Sequence, residues 1–358
     1  MPRVRLDLLV LVLAAPLVLV GCGSSASPTP DATDVSTTST SAPAEPVYSS
    51  APPTSRFDIA CDDLLAAFAS SLPGAVVQDP RGESSAHLSL ITADAVLNAG
   101  GAACLVSNGV SQFALDTEAS FVGIELYVVP DAAAAFATVS TTWDLSDLGQ
   151  TPVENYVVCP VHRLFGETYV SARLRTHDAS SDRYAVCRAL RDYVDGLAGL
   201  SAAPAEPRDG EVSPITDCSA LLTADDIVAL SGAALVADSW FEFSWNDPSG
   251  DAAQLVSGLP NCNWDDGTST NGINIKPLLG GAWLGPLWAQ RTNRQPLPIE
   301  PARPGDAAWV DYDPAYPDNA LLFVVSGGSG FEMQTWIPGD QVANALRVAQ
   351  TLVDRLAA

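Results

Sequence analysis

The sequence predicts an α+β protein built as two tandem, related lobes. Three observations predict it: stretches with a period near two alternate with stretches of helical period, two pairs of cysteines recur at almost the same separation, and short motifs repeat at an almost constant distance. Of the 358 residues, roughly the last 300 have globular composition, room for two domains of ordinary size. Hydrophobic residues make up 47%, enough to fill two cores. The charge is lopsided, with 42 Asp and Glu against 17 Lys and Arg and a net charge of −25. Such a field repels polyanions, which excludes nucleic acid as a partner and disfavours adhesion of the folded surface to anionic headgroups.

The chain begins with a basic region carrying Arg3 and Arg5, followed by an apolar run from Leu8 to Val20 and small Gly21 before Cys22. The run is shorter than the ~20 residues a transmembrane helix needs. Leu19-Val20-Gly21-Cys22 resembles the lipobox of bacterial lipoproteins. That resemblance implies a signal peptide over 1–21, cleavage before Cys22, and lipid on Cys22 that holds the protein at the cell membrane on its extracytoplasmic side. Acyl chains such as palmitate contribute about 0.8 kcal/mol per buried methylene, and two chains anchor stably. An ordinary secretory peptide, cleaved near Ala14 and Ala15, is the competing reading. Residues 22–56 comprise the lipidated cysteine and a tether of Ser, Thr, Pro and Ala, too poor in apolar side chains to fold. Abundant Ala, Val, Asp and Pro, with Arg far exceeding Lys, suggest the GC-rich genome of an actinobacterium.

With Cys22 set aside, six cysteines remain: Cys61, Cys104, Cys159, Cys187, Cys218 and Cys262. An even number outside the cytoplasm reads as disulfides. Cys61 and Cys104 are 43 residues apart and Cys218 and Cys262 are 44 apart, so these pair, leaving Cys159 with Cys187. Zinc is disfavoured, because no Cys-x-x-Cys is present and His87, His162 and His177 all lie outside the second half. The repeat has further anchors. Cys61-Asp62-Asp63-Leu64-Leu65 matches Cys218-Ser219-Ala220-Leu221-Leu222 at an offset of 157, and Val194-Asp195-Gly196-Leu197-Ala198 matches Val353-Asp354-Arg355-Leu356-Ala357 at 159. Two other similarities shift register: Leu90 to Asp94 resembles Leu221 to Asp225 at 131, and Gly123-Ile124-Glu125 aligns with Gly272-Ile273-Asn274 at 149. Lobe one is assigned to 57–200, an interdomain linker with Pro204, Pro207 and Gly210 to 201–215, and lobe two to 216–358.

Each lobe starts with a short capped helix. In lobe two Thr223 is the N-cap, Asp225 and Asp226 fill the first turn, Leu222 and Ile227 form a hydrophobic staple, and Gly232 ends the helix. In lobe one Thr92, Asp94, the Ile91 and Val96 pair, and Gly100-Gly101 take these roles. Alternating stretches at Gly123 to Val129, Glu167 to Arg175, Gly272 to Lys276 and Leu321 to Ser326 read as strands. Amphipathic helices close the lobes, with stripes of Tyr184, Cys187, Leu190, Val194 and Leu197, and of Val342, Ala345, Ala349, Leu352 and Leu356. At the 159 offset Cys187 corresponds to Leu346, so lobe two replaces the third disulfide by an apolar contact.

Cys218-Ser219-Ala220-Leu221-Leu222-Thr223, followed downstream by Cys262-Asn263-Trp264, resembles a domain of unknown function of actinobacterial lipoproteins and the extracellular sensor domains of mycobacterial serine/threonine kinases. The match covers Cys218 to Ala358. Lobe one keeps the cysteine and paired leucines but follows Cys104 with Leu105 and Val106, without a tryptophan. The resemblance implies antiparallel sheets packed with helices and stapled by disulfides, in the cell envelope.

No catalytic residue, metal or cofactor is assigned. Gly327-Gly328-Ser329-Gly330-Phe331 fails the nucleophile-elbow rule at its last position and reads as a turn between strands. Lys276, the only lysine, is preceded by Ile273 where a Ser-x-x-Lys enzyme needs serine. Acid pairs such as Glu242 with Asp247, or Asp265 with Asp266, fit a solvated acidic face better than a glycosidase. Asp311-Tyr312-Asp313 with Asp318 and Asn319 lacks the glycine and closing glutamate of a calcium loop. Seven of the eight tryptophans lie in lobe two. Trp264 and Trp336 are expected in the core, whereas Trp240, Trp245, Trp283 and Trp288 are candidates for an exposed ligand platform. The sequence therefore favours a non-enzymatic binding or sensor module for an envelope glycan, lipid or protein. A hydrolase using acids in an interlobe cleft and a scaffold for a membrane protein are the alternatives.

Overall fold

The computed structural model describes residues 52–81, 91–109, 122–143, 145, 157–176, 183–206, 215, 217–238, 248–259, 261–267, 271–290, 294–312 and 320–357. Cys22, Trp240, Trp245, Glu242, Asp247, Asp313, Asp318 and Asn319 lie outside them. Lobe one runs α1 (Cys61–Phe68), β1 (Val76–Gln78), α2 (Ile91–Asn98), β2 (Ala102–Ser107), β3 (Val122–Val129), α3 (Ala133–Thr142), β4 (Val157–Phe165), β5 (Thr168–Thr176) and α4 (Arg183–Asp195). Its antiparallel sheet has the order β1-β2-β3-β5-β4.

Lobe two opens with a 3-10 turn at Cys218–Ala220. It continues through α5 (Ala224–Ser231), β6 (Val236–Asp238), α6 (Pro248–Ser257), β7 (Cys262–Asp265), β8 (Gly272–Leu278), α7 (Leu284–Ala289), β9 (Arg294–Pro296), β10 (Ala307–Tyr312), β11 (Ala320–Ser326), β12 (Ser329–Thr335) and α8 (Gln341–Ala357). Its sheet, also antiparallel, has the order β6-β7-β8-β12-β11-β10-β9. The four predicted strands are β3, β5, β8 and β11.

Strand register makes the lobes equivalent. Across lobe one the opposed residues run Cys104, Leu126, Ala172, Val161, and across lobe two they run Cys262, Ile275, Met333, Leu322. Two-residue turns at Gly166-Glu167 and Gly327-Gly328 join the last two strands of each set, with positive φ at all three glycines. Lobe two then adds β9 and β10 at the far edge.

This register corrects one sequence alignment. α2 follows the first edge strand, as α6 does in lobe two, whereas α5 precedes β6. Thr92-Ala93-Asp94-Ala95-Val96 therefore corresponds to Ser249-Gly250-Asp251-Ala252-Ala253, at the offset of 157 seen for the opening cysteines. The Thr-Ala-Asp likeness between α2 and α5 reflects what any helix N-terminus prefers. Thr92 is not an N-cap, since α2 begins at Ile91. The C-terminus is as expected: Gly100 has φ +75°, and Gly101 N donates to Val96 O at 2.8 Å.

The α5 cap forms as read from the sequence. Thr223 Oγ1 accepts from Asp226 N, the Asp226 carboxylate accepts from Thr223 N, and Gly232 closes the helix with φ +74°. Arg355 of α8 donates to Asp226 at 2.7 Å, fastening the opening helix to the closing one. Burial pushes the Asp226 carboxyl upward, but hydrogen bonds from Arg355 and Thr223 outweigh it and hold the group below its ordinary 3.8.

Each sheet turns one face to its own helices. In lobe one Ile124, Leu126, Val161, Val170 and Leu174 pack with Leu64, Phe68, Leu190 and Val194. In lobe two Ile273, Ile275, Leu322, Val324, Phe331 and Met333 pack with Val348, Leu352 and Val353. Disulfides join Cys61 to Cys104, Cys159 to Cys187 and Cys218 to Cys262. By register Ala320 takes the place of Cys159 in the lobe-two core, and Leu346 is partly buried against that core.

A third core joins the lobes, built around α2 and α6. Ala93, Val96, Tyr127, Val129 and Tyr169 of lobe one pack with Ala252, Ala253, Leu278, Trp283, Leu284, Trp288 and Phe323 of lobe two. Small side chains let the helices approach closely, and Gly250 lies against Thr92. Asn98 bridges the lobes, donating to Leu279 O at 2.8 Å and accepting from Trp283 Nε1 at 3.1 Å. The described residues of both lobes belong to one compact unit.

Candidate ligand-binding site

The tryptophan platform does not form at Trp283 and Trp288. Both are 1% exposed, and Trp288 packs on Phe323 with ring centroids 5.3 Å apart. Trp283 immediately precedes α7, the counterpart of α3, and Trp288 lies within it, so that this Gly/Pro-rich segment buries its aromatics between the lobes. Gly330 makes room: a side chain there would meet Trp288 Cη2 at 3.0 Å. At the Gly330 position lobe one instead has Tyr169, which packs edge-on to Phe136 of α3.

Among the described residues, the layer between the lobes holds no open array of carboxylates. Asp94 and Asp251 occupy equivalent positions on α2 and α6 and are buried, and Asp251 accepts from Trp143 Nε1 at 2.9 Å. Asp265 is committed to a turn, accepting from Gly267 N at 2.6 Å and Asn263 Nδ2 at 2.7 Å. No cluster of metal-ligating side chains is present among the described residues, and none of their helices is long and apolar enough to cross a membrane.

The face of each sheet turned away from its own helices changes along the strands from apolar to polar. In lobe two the alternation of Cys262-Asn263-Trp264-Asp265 and Gly272-Ile273-Asn274-Ile275-Lys276 sends Cys262, Trp264, Ile273 and Ile275 into the lobe core. Asn263, Asn274 and Lys276 are thereby placed on the opposite face. Gly-Phe-Glu-Met-Gln at 330–334 does the same, placing Glu332 and Gln334 beside them. Register sets Asn263, Asn274 and Gln334 directly opposite one another across β7, β8 and β12. One pleat step toward the apolar end, Lys276 lies opposite Glu332, 3.9 Å away.

One step the other way is Trp336. Its backbone N donates to Gly272 O, and its indole lies so close over Gly272 that a side chain there would fall within the ring. Trp336 is thus half-buried on the face opposite the lobe-two core, not within that core as Trp264 is. Its Nε1 is buried without a hydrogen-bond partner. Asn263 is 4% exposed, and its Oδ1 also has no partner.

The same positions in lobe one carry different chemistry. Register maps Asn263, Asn274, Gln334 and Trp336 onto Leu105, Glu125, Arg173 and Arg175. Glu125 Oε2 accepts from Arg173 Nη2 at 2.7 Å and from Arg173 Nε at 2.9 Å, and lies 3.4 Å from Arg175 Nε. Lobe one closes its row with an Arg–Glu–Arg cluster, whereas lobe two leaves hydrogen-bonding capacity there unspent. In the sequence alone Cys262-Asn263-Trp264 carries a family resemblance and does not mark a site. The useful signal is the polar alternate of three neighbouring strands, which becomes a row once their register is known.

No known protein family, curated relative or solved structure was found to match the chain.

Proposed function

We propose that this protein is a lipoprotein of the cell envelope, held at the membrane by lipid on Cys22, and that it is a non-enzymatic binding module using the polar row of lobe two. The observation that carries the reading is the contrast between equivalent rows. Leaving a buried polar group unpaired costs about 1–3 kcal/mol; in lobe one Arg173 and Arg175 are ion-paired with Glu125, whereas in lobe two Asn263 Oδ1 and Trp336 Nε1 have neither a hydrogen bond nor an ionic partner. Buried groups that stay unpaired inside a fold require a specific explanation, and a bound ligand supplies one for two such groups on one face. Three disulfides accord with an oxidising, extracytoplasmic setting.

The test is affinity recovery from an envelope extract, with mass spectrometry of lipids, glycans and proteins. A specific companion should be retained by the wild type and lost by Asn263→Leu, which installs the residue lobe one carries. A companion retained equally by the variant, or none with the wild type, would count against a site in lobe two. Mass spectrometry of the N-terminal peptide, with Cys22→Ala as control, tests the anchor separately.

A further inference from the structure

We infer that the ligand of the lobe-two row is a neutral, hydroxyl-rich glycan, an assignment that rests on the row being a binding site. Asp265 settles the orientation of the first contact. By accepting from Asn263 Nδ2 at 2.7 Å it fixes the amide with its Oδ1 left as acceptor. Trp336 Nε1–H, on the same face, is a donor without an acceptor. A site offering one buried acceptor and one buried donor suits a group that both gives and takes a hydrogen bond, and a hydroxyl does so. Asn274 and Gln334, registered between them, add two carboxamides that can engage neighbouring hydroxyls in both senses. The backbone positions of Asn263 and Gly272 differ by one strand, about 5 Å, and two residues, about 7 Å, the scale of a single sugar ring.

Other ligand classes fit less well. Asn263, Asn274, Gln334 and Trp336 carry no formal charge, and the charged residues beside them are Asp238, which register sets opposite Asn263, Asp265, whose carboxylate is engaged, and the opposed Lys276 and Glu332. An anionic headgroup would face Asp265 and a chain of net charge −25. An acyl chain would leave the Asn263 and Trp336 polar atoms unpaired. Trp336 adds an aromatic surface, partly open, against which a sugar ring can stack.

The experiment is calorimetric titration and tryptophan fluorescence of the full mature chain with neutral hexose and pentose oligosaccharides. A uronic-acid oligosaccharide, a neutral tripeptide and phosphatidylglycerol vesicles serve as comparators. Saturable binding of a neutral oligosaccharide is expected, weakened about tenfold by Asn263→Leu and by Trp336→Phe, which keeps a ring but removes the donor. Arg173→Gln in lobe one should leave it unchanged. Circular dichroism checks the fold of each variant, and two variants at separate positions guard against a folding defect in one. If a comparator binds in a manner sensitive to Asn263→Leu while neutral sugars do not, the glycan assignment falls and the site stands. If sugars bind equally to wild type and both row variants, or nothing binds the wild type, the site falls as well.

Discussion

Asn98 is the single residue on which the docking of the lobes most visibly turns, and Asn98→Leu tests that docking with little change of volume. The amide of this lobe-one residue is fully buried and satisfies two groups of lobe two: the Leu279 carbonyl at 2.8 Å and the Trp283 indole N–H at 3.1 Å. Leucine satisfies neither. The indole N–H belongs to a side chain 1% exposed and should lose its partner outright, for about 1–3 kcal/mol. The carbonyl, partly reached by water, adds about 1 kcal/mol, and greater apolar burial by leucine returns about 1 kcal/mol. The net expectation is a loss of about 1–3 kcal/mol, read as a lower urea midpoint in equilibrium unfolding of the disulfide-intact chain. Trp283→Phe removes the stranded donor, so the double variant should cost less than the sum of the two singles by about 1 kcal/mol. A loss below about 0.5 kcal/mol for Asn98→Leu, with additive behaviour of the pair, would refute the claim that this bridge holds the lobes together.

Three further predictions follow from separate parts of the fold. Gln254 of α6 is fully buried with neither amide atom paired, so near-isosteric Gln254→Met should stabilise the chain by about 1–3 kcal/mol, measured as a higher urea midpoint; a lower midpoint would reveal an internal water or other partner. Breaking Cys159–Cys187, which spans 28 residues, should cost up to about 3.6 kcal/mol by loop entropy, and Cys159→Ala with Cys187→Leu, the lobe-two solution, should recover part of it in denaturant unfolding. Because the Asp226 carboxyl is held below 3.8 in the folded chain, its contribution is complete above that pH and is lost as pH falls through the lower folded value. Asp226→Asn should therefore reduce the acid-induced loss of stability below pH ~4, measured by thermal unfolding across pH; an unchanged acid limb would refute that linkage.

Local signals in the chain were sufficient for local structure. Thr223, Asp226 and Gly232 specify the α5 cap because each acts on backbone groups within one turn. Period-two alternation marks β3, β5, β8 and β11 because each sheet buries one face in its own lobe core. Cysteine spacing specified the bridges because the duplicated frame repeats the opening segment and its partner strand. What failed was inference from similarity without geometry. Thr92 resembled Thr223, yet α2 pairs with α6, and a short capped helix reads much the same wherever it packs.

The lobes' mutual contact and the candidate site were decided only in three dimensions. Trp283 and Trp288 read as a loop platform because nothing local states that α7 faces a second lobe, and the space for Trp288 comes from Gly330 on a different strand. Asn263, Asn274, Gln334 and Trp336 are dispersed over more than seventy residues and become neighbours through strand register. The sequence by itself determined the α+β class, the duplicated frame and the disulfide pairs, since propensity, period and spacing act along the chain. Tertiary structure alone decided which of two equivalent rows pairs its charges with one another and which keeps a donor and an acceptor unspent, because pairing depends on distances between strands that the chain does not encode locally.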